Sequence, residues 1–241
     1  MKKKIQSGAK KLANAIALLS AELLLVFIIF FISLATLIVI IRQIFYRTQN
    51  NFDESVFDFL SEHVTNTNTV IMQWLSFAGS HLFLVPAFLV FFTFIFFRYK
   101  SKWFFIKTIT AAVSNLLLMF GLKFFFNRPR PLIPLLKEVP GLSFPSGHAF
   151  MSLTFFGLII YFVYRDVGNK WIKWTVIVFL MCIIFLVGLS RVYLRVHYAS
   201  DVIAGFCFGI LSLVILFLML RQIEKFNAKK MPEHLSEVKN I

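Results

Sequence analysis

Between Trp174 and Leu220 the sequence reads WTVIVFLMCIIFLVGLSRVYLRVHYASDVIAGFCFGILSLVILFLML, in which two apolar runs enclose one short polar segment. A helix that crosses a bilayer needs roughly 20 mostly apolar residues. The run 202–220 meets that length, and the run 175–189 is somewhat shorter. The charged side chains between them therefore lie in a loop that joins two membrane spans.

The rest of the chain continues the same pattern. Hydrophobic residues make up 59% of the 241 residues, with 32 Phe and a mean hydropathy of +0.81, which is far from the composition of a soluble domain. The sequence predicts an all-α integral membrane bundle of six helices, at 18–41, 72–97, 104–122, 149–164, 175–189 and 202–220. We divide it into a basic N-terminus 1–17, a single six-span domain 18–221 and a C-terminal tail 222–241.

The formal net charge of +14 would suggest nucleic-acid binding in a soluble protein. Here no basic soluble stretch with interleaved aromatic residues exists, so we expect no nucleic-acid partner. Most Lys and Arg residues lie in the N-terminus, after the second and fourth spans, and in the C-terminal tail. Cytoplasmic flanks of membrane spans collect such residues. The sequence thus predicts a multi-pass inner-membrane protein with both termini in the cytoplasm.

The longest predicted connection, 42–71, contains apolar residues at helical spacing. They are Phe52, Val56, Phe59, Leu60 and Val64, with Asp53 and Glu54 in the first turn of the helix they predict. This pattern predicts an amphipathic helix at the outer membrane interface, in the first outer loop. Such a helix over 50–64 is either a packing element or a lid that gates substrate entry.

Three polar segments stand at span ends, and the first reads KFFFNRPRP from Lys123 to Pro131. Proline cannot continue a helix, so the chain leaves the membrane here. Lys123 and Arg130 either anchor the end of a span or reach towards a phosphate, which arginine binds with paired hydrogen bonds. Arg128 is the weaker phosphate ligand of the two arginines.

The second segment, Pro145-Ser146-Gly147-His148, directly precedes the fourth span. Serine is a preferred N-cap, glycine admits a ligand close to the backbone, and free N–H groups at a helix start bind anions. The segment is either a capped helix start or part of an anion site. His148 can donate a proton to a leaving oxygen there, because an unperturbed histidine has a pKa of about 6.5.

The third segment runs from Ser190-Arg191 to His197 and Asp201. The last two are four residues apart, a spacing that places side chains on one face of a helix. Asp201 can then accept the proton of one ring nitrogen and direct the other nitrogen outward, as in other nucleophilic histidine sites. The alternative is a His–Asp pair that stabilises a span end. Arg191 would add a third cation to the two in the first segment.

The topology supplies an independent argument for one site. Loops that follow odd-numbered spans all lie on the same side of a membrane. With six spans, the three polar segments therefore face one compartment, and the charge distribution predicts that this compartment lies outside the cytoplasm.

Taken together, the segments read K-x6-R-P, P-S-G-H and S-R-x5-H-x3-D, with eleven specified residues matched. This arrangement resembles the type 2 phosphatidic acid phosphatase superfamily over roughly residues 50–220, most specifically over 123–201. The resemblance implies a membrane phosphatase with a phosphohistidine intermediate. It implies that His197 is the nucleophile, that Asp201 orients it, and that His148 protonates the leaving oxygen and later activates water.

The resemblance also implies the groups that hold the phosphoryl oxygens, which are Lys123, Arg130, Ser146, Gly147 and Arg191. Three cations can supply the charge stabilisation that magnesium supplies in other phosphoryl transfers, and the sequence offers no carboxylate cluster for a metal. We therefore expect no metal and no cofactor. The partners implied are the bilayer and a lipid phosphate: phosphatidylglycerophosphate, phosphatidic acid, a lipid A phosphate or a polyprenyl diphosphate such as undecaprenyl diphosphate.

Two other functions remain open at this point. A transporter or scaffold that binds a phosphate lipid without cleaving it would also have many spans, although discontinuous paired repeats, which would favour it, are not evident. The vanadium haloperoxidases share the three motifs by family resemblance, but they are soluble proteins.

Overall fold

The computed structural model describes residues 2–46, 51–99, 102–135 and 141–229, and within these ranges it contains eight α-helices and no β-strand. In chain order they are α1 (Lys2–Tyr46), α2 (Asn51–Ser61), α3 (Asn66–Ala78), α4 (His81–Tyr99), α5 (Lys102–Phe126), α6 (Gly147–Asp166), α7 (Lys170–Tyr193) and α8 (Ala199–Lys229). Helices α6, α7 and α8 pack on one another, α1 lies against α8, and α3 lies against α7.

The long helices have the length and composition of membrane spans. Five of them qualify among the described residues, at Leu23–Tyr46, His81–Arg98, Gly147–Asp166, Lys170–Tyr193 and Ala199–Leu218. Helix α5 has 25 residues, of which the apolar part Ala112–Phe126 is shorter than a full span. Large side chains such as Phe31, Val90 and Phe179 are more than half exposed, as expected on a lipid-facing surface. The all-α membrane fold is confirmed, and the sixth span stays a prediction.

The predicted second span, 72–97, is wrong at its start because two helices occupy that stretch. The N–H of Gly79 bonds to the carbonyl of Ser76 at 3.0 Å and closes α3, whereas the carbonyl of Ser80 accepts from Leu84 at 2.8 Å and opens α4. Residues 72–78 thus belong to α3, a separate helix of 13 residues beside α7.

The first span also ends later than predicted. Helix α1 continues past residue 41 to Tyr46. Ile41 and Ile44 pack against a buried cluster that includes Phe144 and Ala204, so the apolar contact surface of α1 continues beyond the single charged residue Arg42. This contact brings the end of α1 to the same end of the bundle as the start of α8.

The predicted amphipathic helix is present as α2, but its buried face differs from the predicted one. Val56, Phe57 and Leu60 pack against residues at the starts of α6 and α8 and the end of α7. Phe59, predicted to lie on the apolar face, is 64% exposed, whereas Asp53 is only 2% exposed. Helix α2 is therefore fixed to the core of the bundle, and a carboxylate belongs to its inner face.

Candidate active site

Four helix ends meet at one end of the bundle and bring the three polar segments together. Lys123 lies in the last turn of α5, and the Ser146 segment begins α6. Arg191 lies in the last turn of α7, and Asp201 lies in the first turn of α8. Because α5 and α7 run towards this end and α6 and α8 run away from it, residues far apart in sequence share one site.

His197 lies in the turn between α7 and α8, not on a helix face as the four-residue spacing suggested. Arg195 adopts a positive φ of 53°, and the N–H groups of Val196 and His197 both bond to the carbonyl of Arg191 at 3.2 Å. This turn places the imidazole Nδ1 3.6 Å from Oδ2 of Asp201. The predicted pair therefore meets across a helix start.

The two ring nitrogens of His197 face different groups. Nδ1 lies 3.4 Å from Oγ of Ser143 and faces Asp201, while Nε2 lies 3.4 Å from Nη1 of Arg130. Nε2 thus faces the cationic side of the site. The ring is 1% exposed, and this burial lowers the pKa of His197 to about 4, although the hydrogen bond and negative charge of Asp201 oppose the shift. At neutral pH the imidazole is uncharged, and Nε2 carries the lone pair because the guanidinium that it faces can only donate.

Asp201 is held on several sides and is completely buried. Its Oδ1 accepts from Nη1 of Arg128 at 2.6 Å, and its Oδ2 accepts from the hydroxyl of Ser143 and from the N–H of Tyr198 at 3.0 Å. These donors satisfy both oxygens and fix the carboxylate in place. The carboxylate beside His197 therefore has one defined orientation.

Arg130 and Lys123 are held by backbone carbonyls of neighbouring loops. Arg130 donates to the carbonyls of Gly141 at 3.0 Å and Val196 at 2.9 Å, and Lys123 donates to the carbonyl of Leu142 at 2.7 Å. Burial lowers the pKa of Arg130 from its usual value, and Asp201 opposes this. The cations are thus placed at the site by uncharged partners, which leaves their charge available to an anion.

The start of α6 has unused hydrogen-bonding capacity. Ser146 occupies the N-cap position, but its side chain makes no capping hydrogen bond, and its buried Oγ has no partner. Its own N–H donates to the carbonyl of Asp201 at 3.0 Å, which ties α6 to α8. The first N–H groups of a helix lack intrahelical acceptors, so Gly147 and His148 offer donors beside the free hydroxyl.

Arg191 and His148 complete the cluster. Arg191 is 4% exposed, donates through Nη1 to Oγ of Ser76, and has a buried Nε without a partner. His148 lies close enough to Arg191, His197, Arg130 and Lys123 to interact electrostatically with all four. All eight predicted site residues therefore lie together at one end of the bundle.

Five residues around this site are not among the eight predicted site residues: Asp53, Ser76, Arg128, Ser143 and Ser200. Arg128 was judged the weaker phosphate ligand, and the structure points its guanidinium at carboxylates, with its face 4.0 Å from the Tyr198 ring centroid. Ser143 lies only three residues before Ser146, and this short separation was the one signal in the sequence that Ser143 lies near the site. Asp53 and Ser76 come from α2 and α3, whose approach to the site no motif indicates.

Gly79 allows the α3–α4 junction to approach the site. A Cβ on this residue would collide with Cγ1 of Val187 and lie 3.3 Å from Cδ2 of His148. We expect Gly79→Ala to lower stability by about 1–3 kcal/mol, as overpacking does in other cores, and to lower activity by displacing His148. Thermal unfolding in detergent checks this, with Gly168→Ala as the control, since a Cβ there meets nothing within 4 Å. Equal melting temperatures for the two variants would contradict the prediction.

Comparison with known proteins shows the family of the chain. The family model described as the PAP2 superfamily matches residues 104–225, which include all eight predicted site residues. The chain belongs to the PAP2 superfamily. It is 30% identical over 161 residues to phosphatidylglycerophosphatase B of Bacillus subtilis (strain 168), covering 66% of this chain and 78% of that protein.

Two solved structures resemble the fold. The transmembrane PAP2 type phosphatidylglycerolphosphate phosphatase from Bacillus subtilis superposes with a TM-score of 0.68 at 25% identity, over 86% of this chain and 98% of that one. Aquifex aeolicus LpxE superposes with a TM-score of 0.51 at 30% identity, over 68% of this chain and 93% of that one. The PAP2 chain is thus a multi-pass membrane protein of the phosphatase family, a hydrolase.

Proposed function

We propose that this protein hydrolyses the phosphate head of a membrane lipid through a phosphohistidine intermediate. The observation that carries the proposal is the environment of His197: Nδ1 faces Asp201, and Nε2 faces the cations. Two buried polar atoms nearby, Nε of Arg191 and Oγ of Ser146, have no protein partner. Buried polar atoms are almost always satisfied, so these two fit a ligand with several acceptor oxygens.

The first step transfers the phosphoryl group to the protein. The lone pair on Nε2 of His197 attacks phosphorus, the bond between phosphorus and the lipid oxygen breaks, and His148 gives that oxygen a proton. Asp201 stabilises the positive charge that the imidazole ring gains. With a phosphomonoester the leaving group is the lipid alcohol, and with a diphosphate it is the lipid monophosphate.

The second step returns the protein to its starting state. A water oxygen attacks phosphorus, its proton passes to His148, and the bond between phosphorus and Nε2 breaks. Inorganic phosphate leaves, and His197 is again a neutral imidazole. His148 serves as acid in one step and base in the other, as the reversal of proton flow requires.

Charge stabilisation comes from the protein itself. Lys123, Arg130 and Arg191 surround the place where the phosphoryl oxygens would lie, with the hydroxyl of Ser146 and the N–H of Gly147. Phosphoryl transfer depends mainly on positioning and on stabilising charge on the equatorial oxygens. Buried cations exert strong effects because little water screens them. We therefore expect the reaction to proceed without a divalent metal.

The site faces the extracytoplasmic side in this proposal. Arg98 and Arg165 lie in the last turns of α4 and α6, and Lys170 begins α7, all at the end of the bundle opposite the site. Basic residues mark the cytoplasmic end of membrane spans, which leaves the site at the outer leaflet. The exposed apolar helices around the bundle are compatible with a substrate that keeps its chains in the bilayer.

A substrate panel tests the proposal. We expect the purified protein in detergent with EDTA to release phosphate from at least one of phosphatidylglycerophosphate, phosphatidic acid and undecaprenyl diphosphate, and vanadate to inhibit it as a mimic of pentacoordinate phosphorus. The relative rates identify the preferred lipid. Strict dependence on added magnesium would overturn the charge argument. Binding of a phosphate lipid without release of phosphate would instead favour the transporter or scaffold.

A further inference from the structure

A buried ionic cluster lies directly behind the proposed nucleophile and is not part of the phosphate site. The guanidinium of Arg128 joins two carboxylates, with Nη1 2.6 Å from Oδ1 of Asp201 and Nη2 2.9 Å from Oδ2 of Asp53. The three side chains are 7%, 0% and 3% exposed, in that order. Arg128 thus donates to two carboxylates and to the hydroxyl of Ser200, and it connects α2 with the start of α8.

Asp53 also holds the start of α8 directly. Its Oδ1 accepts from the N–H of Ser200 at 2.8 Å, and its Oδ2 accepts from the hydroxyl of Ser200 at 2.6 Å. A carboxylate at this position satisfies an N–H group that has no intrahelical acceptor and interacts favourably with the helix dipole. Ser200 is the neighbour of Asp201 in sequence. Asp53 therefore reaches Asp201 by two routes, one through Arg128 and one through the backbone.

The charges of the cluster also affect His197. One guanidinium lies between two carboxylates, so the cluster keeps a net charge of about −1 next to the imidazole. An imidazole that accepts a phosphoryl group becomes positively charged, and a negative neighbour stabilises that charge. If residue 53 were neutral, Arg128 would neutralise Asp201 alone, and this stabilisation would decrease.

We propose that Asp53 is a positioning residue for the phosphoryl transfer, acting through Arg128 and Ser200 to fix Asp201 and keep its negative charge effective at His197. This inference rests on the proposed function. It gives α2 a role in catalysis although the helix has no residue in the three sequence motifs. Helix α2 holds the nucleophile's partner in place, and it need not move as a lid.

The test compares Asp53→Asn with Asp58→Asn, the same substitution at an exposed position of the same helix. Asparagine keeps the shape and an oxygen for the N–H of Ser200, but its amide nitrogen cannot accept from Nη2 of Arg128, so the change removes both the charge and the contact with Arg128. We expect kcat to fall at least tenfold in Asp53→Asn with KM changed less than threefold, because Asp53 does not touch the phosphate. Asp58→Asn should stay within twofold of the wild type. Equal kcat values for the two variants would overturn the inference.

A second measurement shows whether Asp53 acts through Arg128. In an Arg128→Gln background, Asp53→Asn should lower kcat by less than it does alone, because the shared partner is already lost. Fully additive effects would mean that Asp53 acts on Asp201 through Ser200 alone and would refute the route through Arg128.

The test also separates the inference from the proposed function. If the wild type hydrolyses lipid phosphates and Asp53→Asn does so equally well, only the inference fails. If the wild type hydrolyses none, the proposed function fails, and the inference is judged by NMR of ring-labelled histidine. The His197 signal, identified by its loss in His197→Gln, should shift in Asp53→Asn and not in Asp58→Asn. An unchanged His197 signal in both variants would refute the link to Asp53.

Discussion

His197→Gln is expected to release phosphate about a thousandfold more slowly than the wild type, or slower still, because Nε2 of His197 is the atom proposed to form the covalent intermediate. His197 is buried, and the loss of its contacts with Ser143 and Asp201 is therefore a second source of lost activity. Glutamine is chosen because its polar side chain fills part of the space of the imidazole. The measurement is release of inorganic phosphate from the preferred lipid of the panel.

The control for this variant is His63→Gln. His63 is exposed and its Nδ1 lies 3.0 Å from the carbonyl of Phe59, outside the proposed site. The His63→Gln variant should keep the full activity of the wild type. Melting temperatures and detergent-gel filtration profiles show whether His197→Gln remains folded. A folded His197→Gln protein with a tenth or more of wild-type activity would refute the nucleophile assignment.

Trapping the phosphorylated protein tests the same prediction directly. Wild-type protein mixed with ³²P-labelled substrate and quenched with alkali should carry label on protein, because a phosphohistidine is stable to base and labile to acid. His197→Gln should carry none. Label that survives acid would indicate a phosphate ester on a hydroxyl group, and the mechanism proposed for Nε2 would then be wrong.

The sequence predicted the membrane fold and the convergence of eight candidate site residues because both depend on local patterns. Apolar runs of about 20 residues identify spans whatever their packing. Lys123, the Ser146 segment and Asp201 stand at span ends, so the alternation of loops sufficed to place them on one side. The solved structures and the family match agree with that fold.

The parts that were not predicted depend on contacts between distant helices. The break between α3 and α4 lies inside a mostly apolar run, at Gly79, where a Cβ would collide with Val187 of another helix. In the sequence, Asp53 is an acidic residue in a first helical turn. In the structure, the packing of α2 brings its carboxylate into contact with Arg128. A single sequence contains no signal for such an approach.

The position of His197 shows what residue spacing alone cannot decide. A four-residue spacing is compatible with one helix face and equally with a turn that precedes a helix. The positive φ of Arg195 selects the turn, and a non-glycine residue in that region is uncommon enough that sequence alone does not suggest it. The chemistry inferred from the pair was unaffected, because the His–Asp contact forms in either geometry.

His148→Gln is expected to distinguish the two proton transfers of the proposed reaction. With a phosphomonoester lipid, whose alkoxide is a poor leaving group, loss of the general acid should slow turnover about a hundredfold to ten-thousandfold. With p-nitrophenyl phosphate the leaving oxygen needs no proton, so the first step should remain fast. The second step still lacks its base, because the attacking water has no proton acceptor at position 148.

The expected result for His148→Gln and p-nitrophenyl phosphate is a burst of about one p-nitrophenol per protein, followed by slow turnover. Stopped-flow absorbance measures the burst, and the alkali-stable label on protein should accumulate over the same time. The wild type, with its base in place, should show a smaller burst or none. Equal slowing of both substrates without a burst would mean that His148 binds the phosphoryl group and does not transfer protons. The leaving-group dependence therefore shows whether His148 transfers protons or is a fourth phosphate ligand beside Lys123, Arg130 and Arg191.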